Sequence, residues 1–288
     1  MDVEHFRFEG HKIAYRTYGS GKRAVILVHS LLFNQDLHGP LAKKLAEHGN
    51  FVVTVDMVGH GDSDGPIDRF DMPRYAHAVE TLMNKLEIEE AVIGGTSLGA
   101  NIGLECAVHF PERVRGLITD MPALERAIIG GSAIFTPIML TAKYLTPVAD
   151  VTSRAARLIP RWSMPYSANL VLDVLKRDPR TTSHVLQGIY FGRLAPPREE
   201  RMDIEAPALI IGHKFDPVHP YDDAVELAGD MPNATFIEAR SIAELRLMPK
   251  RLTNSIIEHV DQCWRPRAVG SSSRAATKQA GRRTGKQS

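Results

Sequence analysis

Cysteine is scarce in this chain. Cys106 and Cys263 stand alone among 288 residues, too few and too far apart for a disulfide framework or a paired zinc-ligand spacing. An excess of one charge is lacking too. The net charge of +1 argues against a general nucleic-acid binder, whose affinity rests on surplus cations. No apolar run approaches the roughly 20 residues that span a bilayer, so stable membrane insertion is not expected. Met1-Asp2-Val3-Glu4-His5 has neither the basic start nor the apolar core of a secretory signal, and a cytoplasmic protein is expected. There are no internal repeats and no His-Glu-x-x-His string.

What is present is apolar and unevenly charged. A hydrophobic fraction of 43% is ample for a large core. From Arg265 to the end there are seven cations (Arg265, Arg267, Arg274, Lys278, Arg282, Arg283, Lys286) and no carboxylate. Removing those seven from the net +1 leaves −6 for residues 1–264. With almost nothing to bury, residues 265–288 are expected to be a disordered basic tail.

Phe6 and Phe8 alternate into a Glu9-Gly10-His11 turn, and Ile13 and Tyr15 alternate out of it, which predicts a hairpin. Ala24 to Val28 and Phe51 to Val55 are continuous β-branched runs, as in strands buried on both faces of a parallel sheet. Leu37, Leu41 and Leu45 recur between them at helical spacing, with Gly49 as a stop. Tyr75, Val79, Leu82, Met83 and Leu86 mark another helix. Strand signals follow at Ala91 to Gly94, Val114 to Thr119, Ala208 to Ile211 and Ala234 to Ile237. A last helix starts at Pro249 with Leu252, Ile256 and Val260 on one face.

This alternation predicts an α/β class fold with a doubly wound, mostly parallel sheet of about eight strands. Residues 1–120 and 204–264 form its core. Residues 121–203 carry helical periodicity, several prolines and no strand signal, and are expected to be a helical lid set over the strand ends.

Gly95-Thr96-Ser97-Leu98-Gly99 joins an apolar strand to an apolar helix, the context of a nucleophile elbow. A serine on so sharp a turn is strained, and side chains two residues before or after it would collide. Three other stretches stand with it: Val28-His29-Ser30-Leu31-Leu32 after a strand, Asp56-Met57-Val58-Gly59-His60-Gly61-Asp62-Ser63, and Gly212-His213-Lys214-Phe215-Asp216-Pro217-Val218-His219-Pro220. Together they resemble the α/β-hydrolase fold superfamily over about Phe6 to Trp264.

The resemblance implies Ser97 as nucleophile, the backbone N–H groups of Leu31 and Leu98 as the oxyanion hole, and Asp216 as the acid orienting a histidine. Asp120, at the end of the preceding strand, is the fallback acid. His29 and His60 are expected to order their loops. Asp216 follows Gly212 by four residues, where the family more often has three.

The family's general base lies after the last strand, and here no histidine occurs between Asn233 and Glu258. Three others remain as substitutes: His219, three residues after Asp216, is preferred, with His213 and His259 behind it. The further alternative is that no base works and Ser97 sits in a binding pocket. Glu238 and Glu244 flank the empty position, with nothing to bring them to Ser97. His213, Asp216 and His219 also make a His-x-x-Asp-x-x-His set of a kind that holds a metal, but no further ligand motif supports it, and no metal or other cofactor is expected.

The reading is therefore a carboxylesterase-like serine hydrolase that forms an acyl-enzyme on Ser97. The alternatives are an impaired member that binds a small apolar ligand, or a hydrolase of carbon–carbon bonds. Serine at the elbow disfavours epoxide hydrolysis and dehalogenation, which use a carboxylate there. Ile134, Phe135, Ile138, Met139, Leu140 and Tyr144 are expected to give the lid a greasy pocket for an apolar acyl or ester substrate. Oligomeric state is not legible.

Overall fold

The computed structural model describes residues 2–65, 70–160 and 165–266. The basic tail beyond Pro266 therefore lies outside the described residues. Strands β1 (Glu4–Phe8) and β2 (His11–Tyr18) pair antiparallel. Glu9 and Gly10 both have positive φ, 47° and 84°, the backbone of a type I′ turn whose twist suits a hairpin.

β3 (Ala24–Val28), β4 (Phe51–Val55), β5 (Ala91–Thr96), β6 (Val114–Asp120), β7 (Ala208–His213) and β8 (Ala234–Ala239) run parallel to one another. The eight strands form one sheet in the order β1-β2-β4-β3-β5-β6-β7-β8. Strands β3, β5 and β7 are buried along their full length, which is why their sequences read as unbroken apolar runs.

Chain direction across the sheet reverses at β3, which has β4 on one side and β5 on the other. Such a switch point opens a crevice at the carboxyl ends of the strands. The loops after β3 and β5 carry Leu31 and Ser97, so topology alone puts both at that crevice.

Helices α1 (Gly39–Glu47), α2 (Met72–Lys85) and α3 (Leu98–His109) connect the first strands. Leu37 falls in a short 3-10 turn, Gln35–His38, ahead of α1 rather than inside it. Between β6 and β7 come α4 (Ala127–Tyr144), α5 (Thr146–Arg157), α6 (Tyr166–Leu175), α7 (Pro179–Phe191) and α8 (Arg198–Met202), with no strand among the described residues. α9 (Tyr221–Asp230), α10 (Glu244–Leu247) and α11 (Lys250–Cys263) complete the chain, and α11 buries Leu252, Ile256 and Val260 as its sequence predicts.

The helical insertion is pinned to the core at both ends. Asp223 on α9 accepts the backbone N–H groups of Leu124 and Ala127 at its start. At its end Arg201, fully buried, pairs with Asp230 and Glu226. A buried guanidinium is tolerated only when its donors are met, so α8 has little freedom to leave α9.

Candidate active site

Ser97 stands between β5 and α3 with φ 54° and ψ −105°, a strained conformation for a residue with a side chain. The surroundings fix it there. Its N–H donates to the Asp120 carbonyl at 2.8 Å. A Cβ at Gly95 would lie 1.8 Å from the Val28 carbonyl oxygen, and one at Gly99 2.1 Å from the same atom. Both glycines of the motif are thus required by one neighbouring strand.

His219 reaches this serine. Its Nε2 lies 2.7 Å from Ser97 Oγ and its Nδ1 lies 2.9 Å from Asp216 Oδ2. An ionised carboxylate only accepts hydrogen bonds, so Nδ1 carries the proton and Nε2 is left to accept from the serine hydroxyl. The other Asp216 oxygen accepts the backbone N–H groups of Val218 and His219. Burial pushes the Asp216 carboxyl up, but the His219 ring and these two backbone donors outweigh it and hold it below its ordinary value.

Asp216 and His219 therefore share one turn of the β7–α9 loop. Between Gly212 and Asp216 the backbone passes through the left-handed region at Phe215, whose φ is 63°.

Leu31 and Leu98 border the same cavity as Ser97 and His219. Among the described residues no acceptor takes either backbone N–H, as an oxyanion hole requires. His29 accepts the Met57 N–H at Nε2 and has Nδ1 by the Ser30 carbonyl. His60 likewise faces the Val58 carbonyl. Burial lowers both rings, His29 to about 3, so they are neutral loop-ordering groups.

The remaining candidates lie elsewhere. His213 turns away from Ser97: Nε2 is 2.7 Å from Asp120 Oδ1, and Nδ1 is 3.1 Å from the Ser241 carbonyl. Both nitrogens face acceptors, so the ring is an imidazolium with no lone pair for a serine. Burial pulls its pKa down and Asp120 more than restores it, leaving it raised. Asp120 is pushed up by burial but held low by His213, Arg246 and Thr96. It pairs with the wrong histidine to serve as the triad acid.

His259 sits against Cys263 Sγ at 3.4 Å, and burial lowers it to about 4. With His213 committed to Asp120, the His-x-x-Asp-x-x-His set is not assembled. Glu238 pairs with Lys214 and Tyr221, and Glu244 with Arg251.

Two contacts under the elbow have no counterpart in the sequence reading. Thr96 Oγ1 donates to Asp120 Oδ2 at 2.8 Å, and Arg246 Nη2 donates to Thr96 Oγ1 at 2.7 Å. Arg246 thus comes from α10, following the loop that lacks the family's histidine. Thr96 was visible as the variable position of the motif. A partner 150 positions away had no local signal.

A cavity of about 140 Å³ opens at Ser97 and His219. The insertion lines it with Ile128, Gly131 and Phe135 of α4 and with Leu186, Ile189 and Tyr190 of α7. The expected lid residues are corrected here. Only Phe135 lines the cavity, while Ile134, Ile138, Leu140 and Tyr144 are exposed and Met139 packs on the core. The helical phase that turns 128, 131 and 135 inward turns Leu140 and Tyr144 out, while Ile138 and Met139 share the inner face but lie past Phe135, beyond the cavity lining. Asn101 also borders the cavity, but its amide is used up on the Ala123 backbone and the Leu194 carbonyl.

The family profile described as alpha/beta hydrolase fold matches residues 23–241. The chain belongs to that family. An uncharacterized protein of Mycobacterium tuberculosis is 35% identical over 109 residues, 38% of this chain and 31% of its own length, so the chain spans about a third of that relative. The 3-oxoadipate enol-lactonase 2 of Acinetobacter baylyi is 26% identical over 262 residues, covering 85% of this chain and 93% of that one. A solved hydrolase from Pseudomonas aeruginosa superposes with TM-score 0.74 at 19% identity, over 90% and 98% of the two chains, a likeness of fold.

Proposed function

We propose that this protein hydrolyses carboxylic esters whose acyl part is apolar and uncharged, through an acyl-enzyme on Ser97. The observation that carries the reading is the 2.7 Å approach of His219 Nε2 to Ser97 Oγ with Asp216 behind the ring. His219 takes the hydroxyl proton as Ser97 attacks the acyl carbon. The carbonyl electrons move to an oxyanion facing the Leu31 and Leu98 N–H groups. The imidazolium then protonates the departing alcohol, and water repeats the sequence to release the acid.

The acyl preference rests on the cavity walls, where no lysine or arginine occurs among the lining residues. A dicarboxylate such as the oxoadipate in the relative's name would bring a buried charge with no fixed cation to meet it, at a cost of several kcal/mol. The base in place of the absent family histidine weighs against the alternative of a pocket that only binds.

Labelling by a serine-directed alkyl phosphonate tests the reading. The parent is expected to be labelled on Ser97 and to hydrolyse a medium-chain ester, and Ser97→Ala to do neither. An unlabelled, folded parent would leave a binding protein.

A further inference from the structure

α4 is apolar on two opposite sides. Its inner side, Ile128, Gly131 and Phe135, roofs the cavity over Ser97. Its outer side carries Ile129, Leu140 and Tyr144 at helical spacing, and Ile129 is 79% exposed. The stripe continues into α5 and its end with Val148 (61%), Val151 (66%) and Leu158 (84%). A helix apolar all round is normally buried all round, and an exposed apolar patch of this extent marks an interaction surface. Only 17% of α4 is buried, although it has the length and composition of a membrane span.

We infer that this ridge docks on an anionic bilayer, with α4 and α5 lying in the interface plane, so that lipid-dissolved esters enter the cavity beneath α4. This rests on the ester-hydrolase reading given above. Charge selects the occupant. From Ala127 to Leu158 there are three cations (Lys143, Arg154, Arg157) and one carboxylate, Asp150, on a body of net −6 across residues 1–264. A weakly basic apolar ridge on an acidic body is drawn ridge-first to an anionic surface. A second copy would set two like-charged ridges face to face.

Crossing the membrane is disfavoured by geometry. Length alone would let α4 cross, but its inner side is held on α7 and the cavity, so only its outer side is open to lipid. An in-plane helix sinks about 5–10 Å, about one helix diameter from the cavity roof. An acyl chain then has only α4 to pass.

Flotation of the full chain with phosphatidylglycerol/phosphatidylcholine vesicles, and with phosphatidylcholine alone, tests this. Binding is expected to the anionic vesicles and to fall at high salt. The double substitution Val148→Glu/Val151→Glu, on exposed positions away from the cavity, is expected to weaken it at least tenfold. Hydrolysis of a water-soluble short-chain ester should stay unchanged. Leu158→Gln, at the exposed end of α5, is a milder second variant. Replacing the tail cations by glutamine is expected to leave part of the binding.

Three results would overturn the inference. They are a parent that floats with neither vesicle type, binding that persists in the double variant and vanishes on tail neutralisation, and a double variant that changes only the oligomeric mass. Ser97→Ala separates the two proposals, because it should still float while losing all hydrolysis.

Discussion

Two carboxylate–imidazole pairs stand side by side at the carboxyl ends of β6 and β7, and they are built for opposite purposes. Asp216–His219 lies within a single turn and leaves one ring nitrogen facing a serine hydroxyl. Asp120–His213 joins the ends of two strands, with side chains about 98% buried, and both ring nitrogens face oxygen acceptors. Whether a histidine is a base depends on its second nitrogen more than on its carboxylate. The buried pair holds a structural charge; the other keeps a lone pair where a proton must go.

The buried pair also holds the other one in place. The Asp120 backbone carbonyl fixes Ser97 and its carboxylate fixes Thr96, while His213 begins the loop that carries Asp216 and His219. One ion pair therefore spans the segments that carry Ser97 and His219.

The largest expected effect breaks the first pair. His219→Ala should lower kcat/KM by about a thousandfold or more, and slow phosphonate labelling in parallel, because a serine without its base is a poor nucleophile. Its urea midpoint should barely move. Asp216→Asn should cost about a hundredfold to a thousandfold, since an amide no longer selects the Nδ1–H tautomer. Activity kept in His219→Ala would sink the assignment.

Most of this was legible in the chain, for physical reasons. The strands announced themselves because parallel strands are buried on both faces. The elbow glycines announced themselves because Val28 leaves no room for a Cβ. Asp216 and His219 were findable because three residues in one turn is a local relation. Arg246 and the Asp120–His213 pair were not, because each joins positions distant in sequence that meet only when the sheet forms. The lid residues were misread for another reason. Composition says that α4 is apolar, and only its rotation about its own axis says which side meets the cavity.

Breaking the second pair should invert the pattern. Asp120→Asn leaves a buried imidazole without its counter-ion and is expected to cost about 3 kcal/mol of stability, read as a fall in urea midpoint. The sign of its pH dependence follows from the shifts. His213 is raised, so its contribution is complete below its ordinary value of 6.5 and is lost as pH rises through the folded value. Asp120 is lowered, so its contribution is complete above 3.8 and is lost as pH falls through the folded value. The penalty should therefore be greatest between about pH 4 and 6.5 and shrink in alkali. A penalty flat from pH 5 to 9 would show that the ring is not charged.

The smallest effect concerns the cost of packing Asp216 and His219 into one loop. The strand-borne histidine, His213, needs no unusual backbone, whereas the loop holds Phe215 at φ 63°. A left-handed conformation costs a residue with a side chain about 1–2 kcal/mol relative to glycine. The unfolded chain gains about 0.5–1 kcal/mol of freedom when glycine is introduced. The ring is 95% exposed, so Phe215→Gly removes no burial, and a net gain of about 0.5 kcal/mol in urea unfolding is expected with kcat unchanged. If stability rises but kcat falls, the strained residue is holding Asp216 and His219 in register, and the loop is tensioned rather than merely tight.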